Sequence, residues 1–261
     1  MKPVLLLNVV GLTPRQIGPD TPRLAELARA GSGIVPMKGV IPAVTCSAQA
    51  TMLTGLLPQE HGAVGNGWLH RETGEIRFWL QSNALVSGEK IYEAAAKLDP
   101  AFTCAKMFWW FNQGARVNWS VTPKPHYGAD GSKVLDVQST PPRLAADLTE
   151  KLGPFPFFSF WGPKSGLPSS DWIARATAEV IRVHAPALTL CYLPHLDYDH
   201  QRVGPGSPEL LREIDACAGI VLDAARARGA AVAVVSEYGI TPVKRALFPN
   251  LHLREKGWLA S

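Results

Sequence analysis

No apolar run in this chain approaches the roughly 18–20 residues that a membrane-spanning helix needs. The apolar opening Val4-Leu5-Leu6-Leu7 is interrupted by Asn8 and Gly11, and no small-residue cleavage site follows it. It therefore reads as a first strand rather than a signal sequence. Cysteine is scarce and scattered. Cys46, Cys104, Cys191 and Cys217 form no CxxC pair, which excludes a zinc knuckle and a disulfide framework. They read as small buried hydrophobes, and the expected compartment is the cytoplasm. Charge of one sign is missing too: 26 Lys and Arg stand against 22 Asp and Glu. A net +4 does not argue for specific nucleic-acid binding. Repeats, low-complexity tracts and Pro/Gly/Ser-rich linkers are absent, as is the G-x-S-x-G elbow of a serine acyl hydrolase.

What is present is an alternation of apolar runs and helical patterns. Pro3–Val10, Ile34–Val40, Phe102–Trp110, Leu188–Leu193 and Ala230–Val235 read as strands. Helical spacing covers Thr21–Ala30, Thr45–Leu53, Glu89–Leu98, Pro142–Leu152, Ser170–Val183, Pro208–Arg228 and Leu247–Leu259. Residues 68–80, with Thr73-Gly74 at their centre, suggest a hairpin. Residues 112–142 lack periodicity and read as a loop insertion. Continuous apolar strands separated by helices imply an α/β fold: a mostly parallel sheet with helices on both faces, forming a single domain over 1–261.

In such sheets ligands sit beyond the carboxyl ends of the strands, so the polar residues there are the candidates. Thr45, at a strand-to-helix junction, is a helix cap or a nucleophile beside free helix N–H groups. Asn66, between two glycines, is a turn residue or an oxyanion donor. His195, Asp197, Asp199 and His200 crowd one strand end, where carboxylate and imidazole suit Zn²⁺ or Mn²⁺; two carboxylates two residues apart also suit a surface turn in a loop. Glu237 follows a wholly apolar strand, where a carboxylate is costly unless liganded or exposed. Phe108-Trp109-Trp110-Phe111 reads as core or as a base-stacking surface. Strand alternation forbids Trp109 and Trp110 from both pointing inward.

Taken in order, these segments resemble the nucleotide pyrophosphatase/phosphodiesterase family of the alkaline phosphatase superfamily. The most specific block is Pro42-Ala43-Val44-Thr45, then Thr54-Gly55-Leu56-Leu57-Pro58, then His61-Gly62-Ala63-Val64-Gly65-Asn66. Thr21-Pro22-Arg23-Leu24, Lys90-Ile91-Tyr92-Glu93-Ala94-Ala95, Phe108-Trp109, Asp197 through Gly204-Pro205, and Val234 through Thr241 complete it. The resemblance implies an alkaline-phosphatase-like core and in-line attack by Thr45 on a small, nucleotide-like phosphodiester or pyrophosphate. Asn66 would hydrogen-bond a phosphoryl oxygen, and a pair of zinc ions would clamp the attacking and leaving oxygens.

Four positions depart from the pattern. Val10 replaces the family's ligand Asp after the first strand, Gln201 its His, and Glu237-Tyr238 its Asp-His pair. Asp197 is kept. This leaves Asp197, Glu237, His195 and His200 as candidate ligands for Zn²⁺ or another divalent metal, as one ion rather than two. The alternative is a catalytically degenerate relative that binds a phosphorylated ligand without hydrolysing it. The loop residues Lys124, His126 and Tyr127 are candidates for leaving-group contacts. Relatives continue past the segment that ends at Thr241, with a further ligand His, so the chain is expected to be short at its C-terminus.

Overall fold

The computed structural model describes residues 2–127, 130 and 132–259, except for the side chains of Tyr127 and Lys133. In chain order the elements are β1 (Val4–Val9), α1 (Pro22–Ala30), α2 (Thr45–Thr54), α3 (Pro58–His61), β2 (Gly67–His70) and β3 (Glu75–Phe78). Next come α4 (Ile91–Leu98), β4 (Cys104–Met107), β5 (Trp119–Pro123), β6 (His126–Tyr127), β7 (Lys133–Val134), β8 (Val137–Thr140) and α5 (Arg143–Leu152). The chain then forms α6 (Leu167–His184), β9 (Leu188–Leu193), α7 (His195–Val203), α8 (Pro208–Ala227), β10 (Ala231–Val235) and α9 (Pro249–Glu255).

Six strands form the main sheet in the order β10-β1-β9-β4-β5-β8. The first five are parallel, and β8 closes one edge antiparallel to β5. The alternation of side chains along each strand splits the core in two. Leu5, Leu7 and Val9 of β1 join Cys191 and Leu193 of β9 under α6 and α8. Leu6, Leu188, Leu190 and Cys104 point the other way, toward Leu53 of α2 and Tyr92 of α4. That second direction is also the one taken by the polar strand residues Asn8 and Lys106, which follow Leu6 and Cys104 by two. Helix α1 is capped from outside itself: Asp215 of α8 accepts the backbone N–H groups of Arg23 and Leu24, both at 3.0 Å.

Four expectations change. Residues 34–40 form no strand; Val35 and Met37 are exposed and nothing pairs with their backbone in a ladder. Residues 112–142 are not a loop insertion throughout, since they contribute β5 and β8 to the main sheet. Val-Gln-Ser-Thr in β8 alternates weakly because it lies at an edge. The His195–His200 cluster is a helical turn, not a loop. Finally, Phe108, Trp109, Trp110 and Phe111 are all buried. The backbone leaves the strand at Phe108, with φ of +61°, so alternation no longer applies. Phe108, Trp109 and Trp110 therefore enter three different clusters.

Candidate active site

Thr45 is the first residue of α2, and Val44 occupies the cap position without a capping side chain. Of the first-turn N–H groups, Cys46 finds the Asn66 side-chain oxygen at 3.0 Å. That contact uses the Asn66 carbonyl and leaves its NH₂ as a donor beside the helix N-terminus. The intervening loop is fastened to α2 by its own polar groups. Ser47 Oγ donates to the Ala63 carbonyl at 2.8 Å. His61 meets Thr51 Oγ1 at 3.0 Å through one ring nitrogen and accepts the Ala63 N–H at 3.1 Å through the other. Gly62 turns the chain with φ of +80°, a region that favours glycine. This explains why the whole Thr45–Asn66 block behaves as one unit: His61 and Ser47 hold Asn66 against the helix start.

Glu237 reaches the same place from the end of β10. It is 1% exposed. Its Oε1 accepts two amide donors, Asn8 Nδ2 and Gln49 Nε2, both at 2.7 Å, while Oε2 has no partner among the described residues. Burial raises the carboxyl to about 7, against the opposing pull of Gln49, Asn8 and the Thr45 hydroxyl. Asp197 adds a further upward push. Tyr238 faces both Thr45 and Asp197. Asp197 is buried; its Oδ2 accepts Gln201 Nε2 at 2.9 Å, and Oδ1 is unpartnered. Burial raises its carboxyl as well, with Gln201 and Tyr238 resisting. Gly11 lets α7 approach the end of β1: a Cβ there would lie 3.3 Å from the Asp197 Cα and N, and its φ is +84°.

Gln49 was not singled out by sequence reasoning. It lies four residues after Thr45, on the same face of α2. Its oxygen accepts the Trp110 N–H at 2.7 Å while its nitrogen serves Glu237. The turn that presents Trp110 is itself pinned. Buried Lys106 donates to the Phe111 carbonyl at 2.7 Å, and burial lowers its ammonium to about 7. Asn8 enters the sequence reading only as a break in the apolar opening, and the strand alternation that turns it toward Glu237 is the available signal.

The four metal candidates divide: Glu237 and Asp197 lie at Thr45, and His195 and His200 do not join them. Helix α7 advances about 100° per residue, so residues two apart face away from each other. Asp197 and Gln201 share the Thr45 side. His195 and Asp199 share the other, where they meet Glu213 of α8. The donor atoms of His195, Asp199 and Glu213 lie within 4.8 Å of one another, a cluster capable of holding one divalent ion. His200 is buried, with Nε2 3.4 Å from Gln16 Nε2 and Nδ1 unpartnered. Among the described residues, no set of three donors converges on Thr45. The residues there do not fit a two-ion site: Val10, Gln201 and Tyr238 stand where ligands would be, and amide donors and a phenol serve the remaining carboxylates. In the loop, His126 is exposed and pairs with Asp136 at 3.1 Å; the Tyr127 side chain lies outside the described residues.

No described helix is long and apolar enough to cross a membrane. No curated protein matches the chain. Among solved structures, it is similar to phosphonoacetate hydrolase from Sinorhizobium meliloti 1021 in complex with phosphonoformate. That pair shares 18% identity with a TM-score of 0.64, covering 97% of this chain and 62% of that one. It is also similar to murine ectonucleotide pyrophosphatase/phosphodiesterase 5, in an inactive threonine-to-alanine variant in complex with AMP. There the identity is 15% and the TM-score 0.63, over 94% of this chain and 59% of that one. Human ectonucleotide pyrophosphatase/phosphodiesterase 5 gives 17% and 0.58, over 92% and 57%. The chain thus spans about three fifths of the length of these structures, and they share its alkaline-phosphatase-like α/β core. Residues 4–260 match the type I phosphodiesterase/nucleotide pyrophosphatase family, and this chain belongs to that family of hydrolases.

Proposed function

We propose that this protein hydrolyses a phosphodiester or pyrophosphate bond in a nucleotide-like or other small phosphodiester, with Thr45 as the nucleophile. The observation that carries the reading is the meeting, at the start of α2, of a buried hydroxyl, the raised Glu237 carboxyl and the free amide of Asn66. As Thr45 Oγ attacks phosphorus, its proton passes to Glu237 and the bond to the leaving oxygen breaks in line. The proton then goes to the departing alcohol or phosphate. In the second half-reaction water attacks the threonyl phosphate, Glu237 takes its proton and returns it to Thr45 Oγ as the bond from Oγ to phosphorus breaks. Asn66 Nδ2 and the first N–H groups of α2 face the phosphoryl oxygens, where negative charge develops. Gln49 and Asn8 orient Glu237. Because the residues around Thr45 do not fit the family's two-ion site, no step is routed through a metal. The inactive threonine-to-alanine variant of the murine relative is consistent with a threonine nucleophile in the same family.

The second reading, a phosphate-binding relative that does not turn over, is favoured by Val10, Gln201 and Tyr238 at the lost ligand positions. One experiment separates the two: hydrolysis of bis-p-nitrophenyl phosphate and of a dinucleotide, with a chelator and with added Zn²⁺ or Mn²⁺, in wild type and Thr45→Ala. Turnover that requires Thr45 supports the hydrolase. Equal rates in Thr45→Ala reject the nucleophile, and AMP binding without turnover in wild type supports the degenerate relative. Turnover that appears only with added metal assigns an ion to the site.

A further inference from the structure

The far side of α7 from Thr45 carries an arrangement that the hydrolytic reading does not use. His195 is fully buried, and neither ring nitrogen has a partner among the described residues. A neutral imidazole in that position buries an unpaired donor and an unpaired acceptor, which is costly and uncommon. One turn along, Asp199 lies on the same helical face, and Glu213 of α8 approaches both. Arg202 engages one oxygen of Asp199 at 2.7 Å and is itself tied to the carbonyls of Pro163 and Ser165. Glu209 adds another negative charge to Glu213's surroundings. Three acids are therefore met by one guanidinium, beside an imidazole that has no partner.

We infer that His195, Asp199 and Glu213 form a Zn²⁺ site that locks α7 to α8. One imidazole and two carboxylates leave a fourth position for water, the usual tetrahedral complement of zinc. Mg²⁺ and Ca²⁺ call for six or more oxygens and disfavour the nitrogen donor. The i, i+4 spacing of His195 and Asp199 supplies two ligands from one helix face, and Glu213 supplies the clamp from the next helix. The ion ties α7 to α8 and so adds to the stability of the fold. The site is independent of the reading at Thr45.

The test uses the full chain, stripped with a chelator and then loaded with Zn²⁺. One Zn²⁺ per chain is expected by metal analysis, with a rise in Tm of about 5–10 °C at a hundredfold excess over Kd. Glu213→Gln and Asp199→Asn each weaken binding by about tenfold or more. Both are isosteric changes outside the fully buried positions, so their folding is checked by circular dichroism without depending on the tolerance of His195. Binding is retained in Asp197→Asn and Glu237→Gln. Absence of bound Zn²⁺ in loaded wild type, unchanged binding in Glu213→Gln, or loss of binding in both Asp197→Asn and Glu237→Gln overturns the assignment.

Discussion

The two faces of helix α7 hold similar residues in opposite states. On one face, Asp197 has a neutral donor on one oxygen, Gln201 at 2.9 Å, with the hydroxyl of Tyr238 beside it and the other oxygen unpartnered among the described residues. Its neighbour across the site, Glu237, is answered in the same way by Asn8 and Gln49. On the other face, neither ring nitrogen of His195 has a partner among the described residues, and of the two acids beside it Asp199 alone is paired, with Arg202. Amides can satisfy a carboxylate without neutralising it, and they leave it available as a base. A fully buried imidazole with no partner among the described residues, converging with two carboxylates, calls for a cation. The difference teaches that acid and imidazole content alone does not locate a metal; the direction of each side chain does.

The contrast is broken most severely by removing the hydroxyl it surrounds. Thr45→Ala is expected to lower kcat by about 10³-fold or more, because a nucleophile has no substitute in a covalent mechanism. Glu213→Gln, on the opposite face, is expected to leave kcat within about twofold when the same assay is run in the same buffer. Equal losses in the two variants would mean that α7 does not insulate the sites. Glu237→Gln comes next, with a fall of about 10²–10³-fold, the usual scale for a general base. Its pH profile is the more specific readout. Since burial raises the Glu237 carboxyl to about 7, wild-type kcat/KM rises with pH through that value as the base ionises. That acid limb disappears in Glu237→Gln. A limb that persists there belongs to another group.

The parallel core was legible because β1, β9 and β10 are continuous apolar runs, and α1, α6 and α8 keep helical spacing between glycine or proline punctuation. That Thr45 and Asn66 lie together was legible through a motif whose internal fastenings, His61 and Ser47, are local in sequence. The separation of the metal candidates was not legible, because in sequence His195, Asp197, Asp199 and His200 crowd one strand end and look like one cluster. Once wound into a helix, they separate to opposite sides. Glu213 carries no sequence signal at all; it joins His195 only because α8 packs against α7. The strand expected at 34–40 failed for the opposite reason, an apolar composition with no partner backbone.

A smaller effect compares the two faces through stability. Gln201→Leu strips the amide from Asp197 and leaves a buried carboxylate oxygen without a donor, which is expected to cost about 1–3 kcal/mol. At roughly 2–4 °C per kcal/mol for a chain of this size, thermal melting resolves it. Asp199→Asn removes an ion pair with Arg202, a residue more than a third exposed, but also relieves repulsion from Glu213. In chelator-treated protein its net change is expected to stay within about 1 kcal/mol. A larger loss in Asp199→Asn than in Gln201→Leu would reverse the ranking of the two faces.

The smallest expected effect is in wild type itself, because the two faces titrate in opposite senses. Folding raises Glu237 from 4.5 to about 7, so its contribution to stability is complete below pH 4.5 and is lost as pH rises through about 7. Folding lowers His195 from 6.5 to about 4, chiefly by burial, against the pull of Asp199 and with some help from His200. Its contribution is complete above 6.5 and is lost as pH falls through about 4. Between pH 4.5 and 6.5 the two slopes, each at most about 1.4 kcal/mol per pH unit, oppose one another. Metal-free wild type therefore gains almost no pH dependence from the pair in that window. Glu237→Gln unmasks the His195 slope, so Tm rises with pH across it relative to wild type. His195→Gln unmasks the Glu237 slope, so Tm falls. Loading with Zn²⁺ steepens the fall in stability at low pH, because protons compete with the ion for His195. Curves of the same shape in wild type and Glu237→Gln would show that the carboxyl is not held out of water, and would remove the base from Thr45.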